Sequence, residues 1–284
     1  MCRWWEVRTM AKLLRANFSR LWKSRIFYVA LIFMVLLNVF LVIDGWNSGR
    51  IGYPEPLEDM LFQNCIIIGF VCSVFVGMFL GTEYSDGTIR NKIIVGHTRV
   101  RIYLANLLIC AAGSLLLLVI SLAIGLGLGS FLLNPLGLPY KTLLLYILIG
   151  LLSALSFAAI FTLVAMLTPS KASGAVICLV LALCMLFVTS AVEGALTEPE
   201  MVQDFEIAAD GMPILGELHP NSRYVTGTKR AVLEVAYDLL PTGQAFQISN
   251  NECAHPARLP VFSLLVTLIT SAAGAMLFRR RDLK

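Results

Sequence analysis

The sequence predicts an all-α membrane protein. It has six transmembrane helices, an N-terminal amphipathic interfacial helix, and a helical extracytoplasmic cap between helices five and six. Three observations carry this reading. Hydrophobic residues make up 58% of the chain and charged residues only 14%, against roughly 25% charged in soluble domains. Six apolar runs, near 26–43, 61–81, 103–130, 143–167, 172–192 and 260–278, are long enough to span; a core about 30 Å thick takes about 20 helical residues. The connections between these runs alternate in charge.

That alternation sets the orientation. Arg3, Arg8, Lys12, Arg15, Arg20, Lys23 and Arg25 precede the first run, and Arg90, Lys92, Arg99 and Arg101 lie between the second and third. Lys171 sits between the fourth and fifth, and Arg279, Arg280, Arg281 and Lys284 follow the sixth. These are 16 of the 22 Lys and Arg, and only Glu6, Glu83, Asp86 and Asp282 of the 18 acidic residues share their side. The positive-inside rule places that side, with both termini, in the cytoplasm of a multi-pass protein of the cell membrane. The net charge of +4 conceals this asymmetry. Because the basic groups flank spans, the partner they indicate is anionic lipid and not nucleic acid.

Residues 1–25 form the first unit. Trp4, Val7, Met10, Ala11, Leu14, Phe18 and Leu21 recur at helical spacing, with Arg8, Lys12, Arg15 and Lys23 towards the opposite side. Such a helix lies in the headgroup plane with its rings inward. Met10 is a second candidate start. The first apolar run is too long for a signal-peptide core and lacks a small-x-small cleavage site, so no cleavable leader is expected.

Residues 26–192 carry the first five spans. Within them, 82–102 is a charged island bearing Glu83, Asp86, Arg90, Lys92, Arg99 and Arg101. Asp86-Gly87 reads as a tight turn, Thr88 as a helix cap, and Gly96 as a helix end; Thr98 caps the next helix. Ile89 and Ile93 share a face of the short helix between them. Spacing alone fits a solvated loop as well as a lever pushed by another protein. The third run is overlong and glycine-rich, with a break expected before Pro135. Gly125-x-x-x-Gly129 suits close helix approach, and the tight Thr168–Lys171 turn makes spans four and five antiparallel neighbours.

The spans carry no Lys, Arg, Asp or Glu near their centres, which argues against a proton- or sodium-coupled carrier. Asn38, Asn64, Ser114, Ser153, Ser156 and Thr162 are the polar features there, read as helix-packing groups. Residues 193–259 form the cap, with ten acidic and four basic residues. Lys229–Leu240 reads as a helix ended by Pro241, and Glu198–Ala209 as a weaker one. Residues 260–284 give the sixth span and a basic tail. The seven cysteines are scattered, with Cys253 alone outside, so no disulfide framework is expected.

Several chemistries lack their residues. There is no G-x-x-x-x-G-K-[ST] phosphate loop and no H-E-x-x-H. His97, His219 and His255 have no metal-ligand spacing, so no metal site and no catalytic residue is expected. No nucleophile elbow appears.

A span ending in Gly81-x-Glu83, then Gly87-Thr88, a short apolar-basic helix, and Thr98-Arg99 opening the next span resembles the pattern of type-2 ABC transporter permeases. The ending Phe278-Arg-Arg-Arg-Asp-Leu-Lys284 is similar to that family's usual ending, and one departure is Asn106, where many relatives place a lysine. The resemblance implies the membrane subunit of an ATP-driven exporter. A separate cytoplasmic ATPase would bind ATP and Mg, and a second copy of this chain would complete the path as a homodimer. The substrates implied are amphipathic peptides, antibiotics or lipophilic compounds. It also implies that the ATPase contacts Glu83, Thr88, Ile89, Arg90, Ile93, Ile94 and Arg99, with Arg8, Lys12 and Arg15 of the N-terminal helix as a further docking surface. Glu83 would pair with an arginine of that helix or with the ATPase, or stand as a solvated carboxylate. A non-transporting membrane sensor or accessory subunit, and an ion-coupled carrier, are the alternatives.

Overall fold

The computed structural model describes residues 2–53, 56–207 and 213–281, with side chains of 2–9 and 204–216 outside the description. Trp4, Val7 and Arg8 as side chains, Pro54, Ala209 and Asp282–Lys284 therefore lie outside the described residues. Among the described residues there are ten helices and one two-stranded sheet.

Six helices are long and apolar enough to span: α2 (Arg25–Arg50), α3 (Leu57–Ser85), α5 (Arg99–Leu132), α6 (Tyr140–Met166), α7 (Lys171–Thr197) and α10 (Leu259–Arg280). Five of them outrun their apolar stretches at both ends, and α6 does so at its start, because a helix continues until a residue ends it. Helix α3 is the hub, packing against α2, α5, α6 and α7. Phe62, Cys65, Ile68, Phe75, Val76 and Phe79 along it are buried. One end of the bundle gathers α1 (Cys2–Lys23), α4 (Thr88–Ile94), the α6–α7 turn and the C-terminal basic residues; we call it the basic end. The other carries the sheet and is the hairpin end.

Helix α1 runs into α2 with one break at Ser24, whose Oγ accepts from the Phe27 N–H and caps α2. Thr98 caps α5 and Ser170 caps α7 in the same way. Helix α5 is unbroken to Leu132, correcting the break expected in its glycine-rich end. Gly125 and Gly129 face α2 and α3 instead. A methyl at Gly129 would overlap the Leu57 side-chain end, so the glycine leaves room for that leucine of α3. Beneath it, Asn38, Asn64 and Ser121 join α2, α3 and α5 in a buried hydrogen-bonded triad, with both Asn side-chain amides paired to each other at 2.9–3.0 Å.

The hairpin end corrects the all-helical cap. Glu198–Ala209 does not form a helix: β1 (Met201–Ile207) pairs antiparallel with β2 (Pro213–Pro220). Pro199 cannot continue α7, and Phe205 and Ile207 alternate with Asp204 and Glu206, the period of a strand. Helix α8 (Gly227–Leu239) matches the expected Lys229–Leu240 segment. Pro241 does not merely end it. It opens α9 (Pro241–Ser249), as proline does at a first helical position. Helix α9 is almost wholly buried and packs against α3, α6, α7 and α8. Gln244 anchors it: its Nε2 donates to the Asp238 carbonyl at 2.8 Å, and its Oε1 accepts from Ser153 at 2.9 Å and Ser263 at 2.5 Å. The segment is thus wedged among the spans and not laid over them.

Candidate functional site

The basic end is organised by one carboxylate. Glu83, in the last turn of α3, is buried, and three side chains from three other helices reach it. Arg20 of α1 and Lys92 of α4 form ion pairs with Oε1, and the Asn106 amide of α5 donates to Oε2 at 2.6 Å. Asn17 closes a ring: its amide donates to Asn106 Oδ1 at 2.9 Å, and its own Oδ1 accepts from the Lys92 ammonium at 3.1 Å. Lys92, Asn17, Asn106 and Glu83 therefore tie α4, α1, α5 and α3 into one unit. Arg20 adds a second layer, donating to the Phe79 carbonyl at 3.1 Å with its guanidinium 3.9 Å over the Phe79 ring. Burial pushes Lys92 down to about 7, with the Arg20 charge pushing the same way. Burial likewise lowers Arg20 to about 10.

The turn from α3 into α4 depends on Gly87, whose φ of 64° is the left-handed conformation glycine adopts without strain. Gly87, not Thr88, occupies the cap position. Thr88 is the first helical residue, and its hydroxyl donates back to the Glu83 carbonyl at 3.1 Å. Gly96, at φ 97°, ends the helix. Gly81 lets α7 approach, since a methyl there would stand 2.7 Å from Lys171 Cα.

The short helix is turned differently from the sequence expectation. Ile89 is 2% exposed and Ile93 packs half-buried against the same core, so their shared face points into this chain. This corrects the expectation that Ile89 and Ile93 present an apolar face to a partner. Ile94 and Val95 are the residues turned outward, 73% and 78% exposed. Arg90 is exposed beside them. Arg99 is engaged by the chain itself, donating to the carbonyls of Arg279 and Arg281. Arg281 donates in turn to the Met166 carbonyl at 2.9 Å, drawing the C-terminal residues and α6 into the same end.

Helix α1 packs one stripe against the rest of the chain. Leu13, Asn17 and Leu21 make the buried stripe, while Phe18 and Trp22 are exposed. Polar Asn17 in that stripe faces its ring partners and not lipid. Lys12 and Arg15 are exposed, and Lys12 lines a groove between α1 and α4 of about 350 Å³ with Leu13, Ala16, Asn91, Val95 and His97. The sequence left Glu83 open between an arginine of the N-terminal helix, the ATPase and a solvated carboxylate; the structure pairs it with Arg20 and adds Asn17 and Lys92, which the sequence reading missed. The available signal was a polar residue at i+4 from Leu13 and i−4 from Leu21, which is costly unless paired.

Fold and site together define a polytopic helical membrane protein whose connecting segment 82–102 is locked to its first helix at one membrane face. The family described as ABC-2 family transporter protein matches residues 13–185, a stretch that includes the whole Glu83 ring. The chain belongs to that family and is a permease component of a membrane transporter. No curated protein matches the chain significantly.

Proposed function

We propose that the chain is the permease subunit of an ATP-driven exporter, with the basic end in the cytoplasm. The observation that carries this is the exposed Ile94–Val95 corner. An apolar pair at the charged end of the molecule, flanked by Lys12 and Arg90 and backed by the α1–α4 groove, suits a protein partner better than water. That partner is a separate ATPase subunit, which binds ATP and Mg and presses on the corner. Two copies of the permease pair, as closed two-fold assemblies commonly do, and enclose the substrate path. A groove of about 360 Å³ between α2 and α3, lined by Val29, Phe33, Phe70, Val74 and Met78 with Arg25 at its edge, supports amphipathic peptides, antibiotics or lipophilic compounds as cargo.

The test is co-purification and ATPase stimulation with the partner subunit for Ile94→Ser together with Val95→Ser. Loss of the complex at normal permease expression supports the reading. A wild-type complex with wild-type stimulation, or transport by the permease without nucleotide, overturns it.

A further inference from the structure

Helix α8 is amphipathic in the reverse sense. Its polar residues Arg230, Glu234, Tyr237 and Asp238 share one face, where with Glu193 and Asn250 they line a pocket of about 180 Å³; Asp238 is buried, while the Arg230 and Glu234 side chains stay part-exposed. These groups are satisfied within the chain. Arg230 pairs with Glu234 at 3.0 Å, Gln247 donates to Asp238 at 3.0 Å, and Asn250 donates to Glu193 at 2.6 Å. Val232, Val235 and Leu239, three and four residues apart and so on one face, are exposed. A helix bathed in water places its polar face outward and its apolar face on the core. An apolar face turned away from the chain, opposite a polar face that lines a pocket, fits an apolar medium outside α8.

Two further observations say which medium. Helix α8 packs on α7 and α10, and both spans have exposed lipid-type surfaces, Phe187 and Val188 on α7 and Leu264, Leu265, Leu268 and Ile269 on α10. Basic Arg223 and Lys229 are exposed at the N-terminal end of α8, where phosphate headgroups would complement them. We propose that the Val232–Val235–Leu239 face of α8 is seated in the membrane, in the headgroup–acyl boundary of the leaflet at the hairpin end. The chain from β2 to α9 is then held by lipid on one side and by its own polar pocket on the other.

The experiment places single tryptophans at this face, Val232→Trp, Val235→Trp and Leu239→Trp, in the full chain reconstituted into phosphatidylcholine–phosphatidylglycerol nanodiscs. The emission of the parent protein is subtracted. The added emission should be blue-shifted relative to tryptophan in water, quenched by phospholipid brominated near the headgroup, and resistant to acrylamide in all three. Quenching by acrylamide and not by brominated lipid would overturn the proposal by placing the face in water. A second copy of the chain is the competing occupant, and Val235→Cys tests it. Efficient disulfide cross-linking between copies, with no brominated-lipid quenching at Val235→Trp, would assign the face to a protein interface and overturn the lipid assignment.

Discussion

Replacing Glu83 by Gln removes the one negative charge of the ring while keeping its size. Glu83 is 1% exposed, and its cationic partners Arg20 and Lys92 are 28% and 16% exposed. Breaking a buried ion pair by removing one partner costs about 3–5 kcal/mol, because the other charge is stranded. Water reaches part of Arg20, which places the expected loss at the lower end, about 3 kcal/mol. The spans do not depend on this ring for insertion, so the loss should appear as local opening at the basic end. Amide exchange in α4 and the second half of α1 should speed up by about a hundredfold, while the centres of α3 and α6 keep their protection. Adding Lys92→Met to Glu83→Gln should recover part of the loss, since the double change strands one cation and not two. Unchanged exchange in α1 and α4 of Glu83→Gln would refute the assignment of Glu83 as the tie between them.

Truncating Ile89 to Ala should lower thermal stability in detergent by about 2–5 kcal/mol, as for a core residue. Ile94→Ala should leave stability unchanged and act only on ATPase binding; the reverse pattern in the melting and pull-down data would mean that α4 is turned the other way. Tyr103 is buried with its hydroxyl unpaired. Tyr103→Phe should therefore be neutral or raise stability by about 1 kcal/mol in the same melt, since it leaves no orphaned polar group, and a clear drop would reveal a partner. Asn64→Leu opens the Asn38–Asn64–Ser121 triad and should cost about 1–2 kcal/mol, the scale of interhelical hydrogen bonds in membranes. Steric unfolding of a detergent-solubilised sample, read by thiol reactivity of buried Cys65, checks it.

The spans were legible because lipid leaves so few options. A run such as Leu143–Leu167 satisfies its backbone only as a helix, and charge bias orders the ends. The ring at Glu83 was half legible. A lone carboxylate at a span end beside a basic helix asks for a cation, but Lys92 and Asn17 reach it only after α4 folds back at Gly87. The rotation of α4 was illegible for a related reason. Ile89, Ile93, Ile94 and Val95 are all apolar, and a seven-residue helix has too few turns for periodicity to say which pair faces inward. At the hairpin end, Glu198–Ile207 fits both periods over so short a length, and Pro199 with the Phe205–Ile207 alternation was the better guide. Helix α9 hid behind Pro241, which marks a helix start as readily as a stop.

A docking site and a transmitting element can be separated by one substitution. Isolated, a helix of seven residues is marginal, so a push at Ile94 and Val95 reaches the spans only through what fastens α4. Two sets of attachments do so: Ile89 and Ile93 on the core with the Thr88 hydroxyl on the Glu83 carbonyl, and Lys92 in the ring with Asn17, Asn106 and Glu83. Lys92→Met keeps the first and opens the second. It also leaves Glu83 with one cation, Arg20, so the buried carboxylate remains paired, while the buried Asn17 Oδ1 loses its donor, a loss of about 1–3 kcal/mol. The Ile94–Val95 corner stays exposed, and the ATPase should still bind. On the proposed function, Lys92→Met should give a complex of normal yield whose ATPase is no longer stimulated by substrate. Lys92→Arg, which retains the charge and a donor, should restore part of that stimulation. Full stimulation in Lys92→Met would mean that the first set of attachments carries the push and that the ring only holds the fold. Loss of the complex itself would place Lys92 among the docking residues.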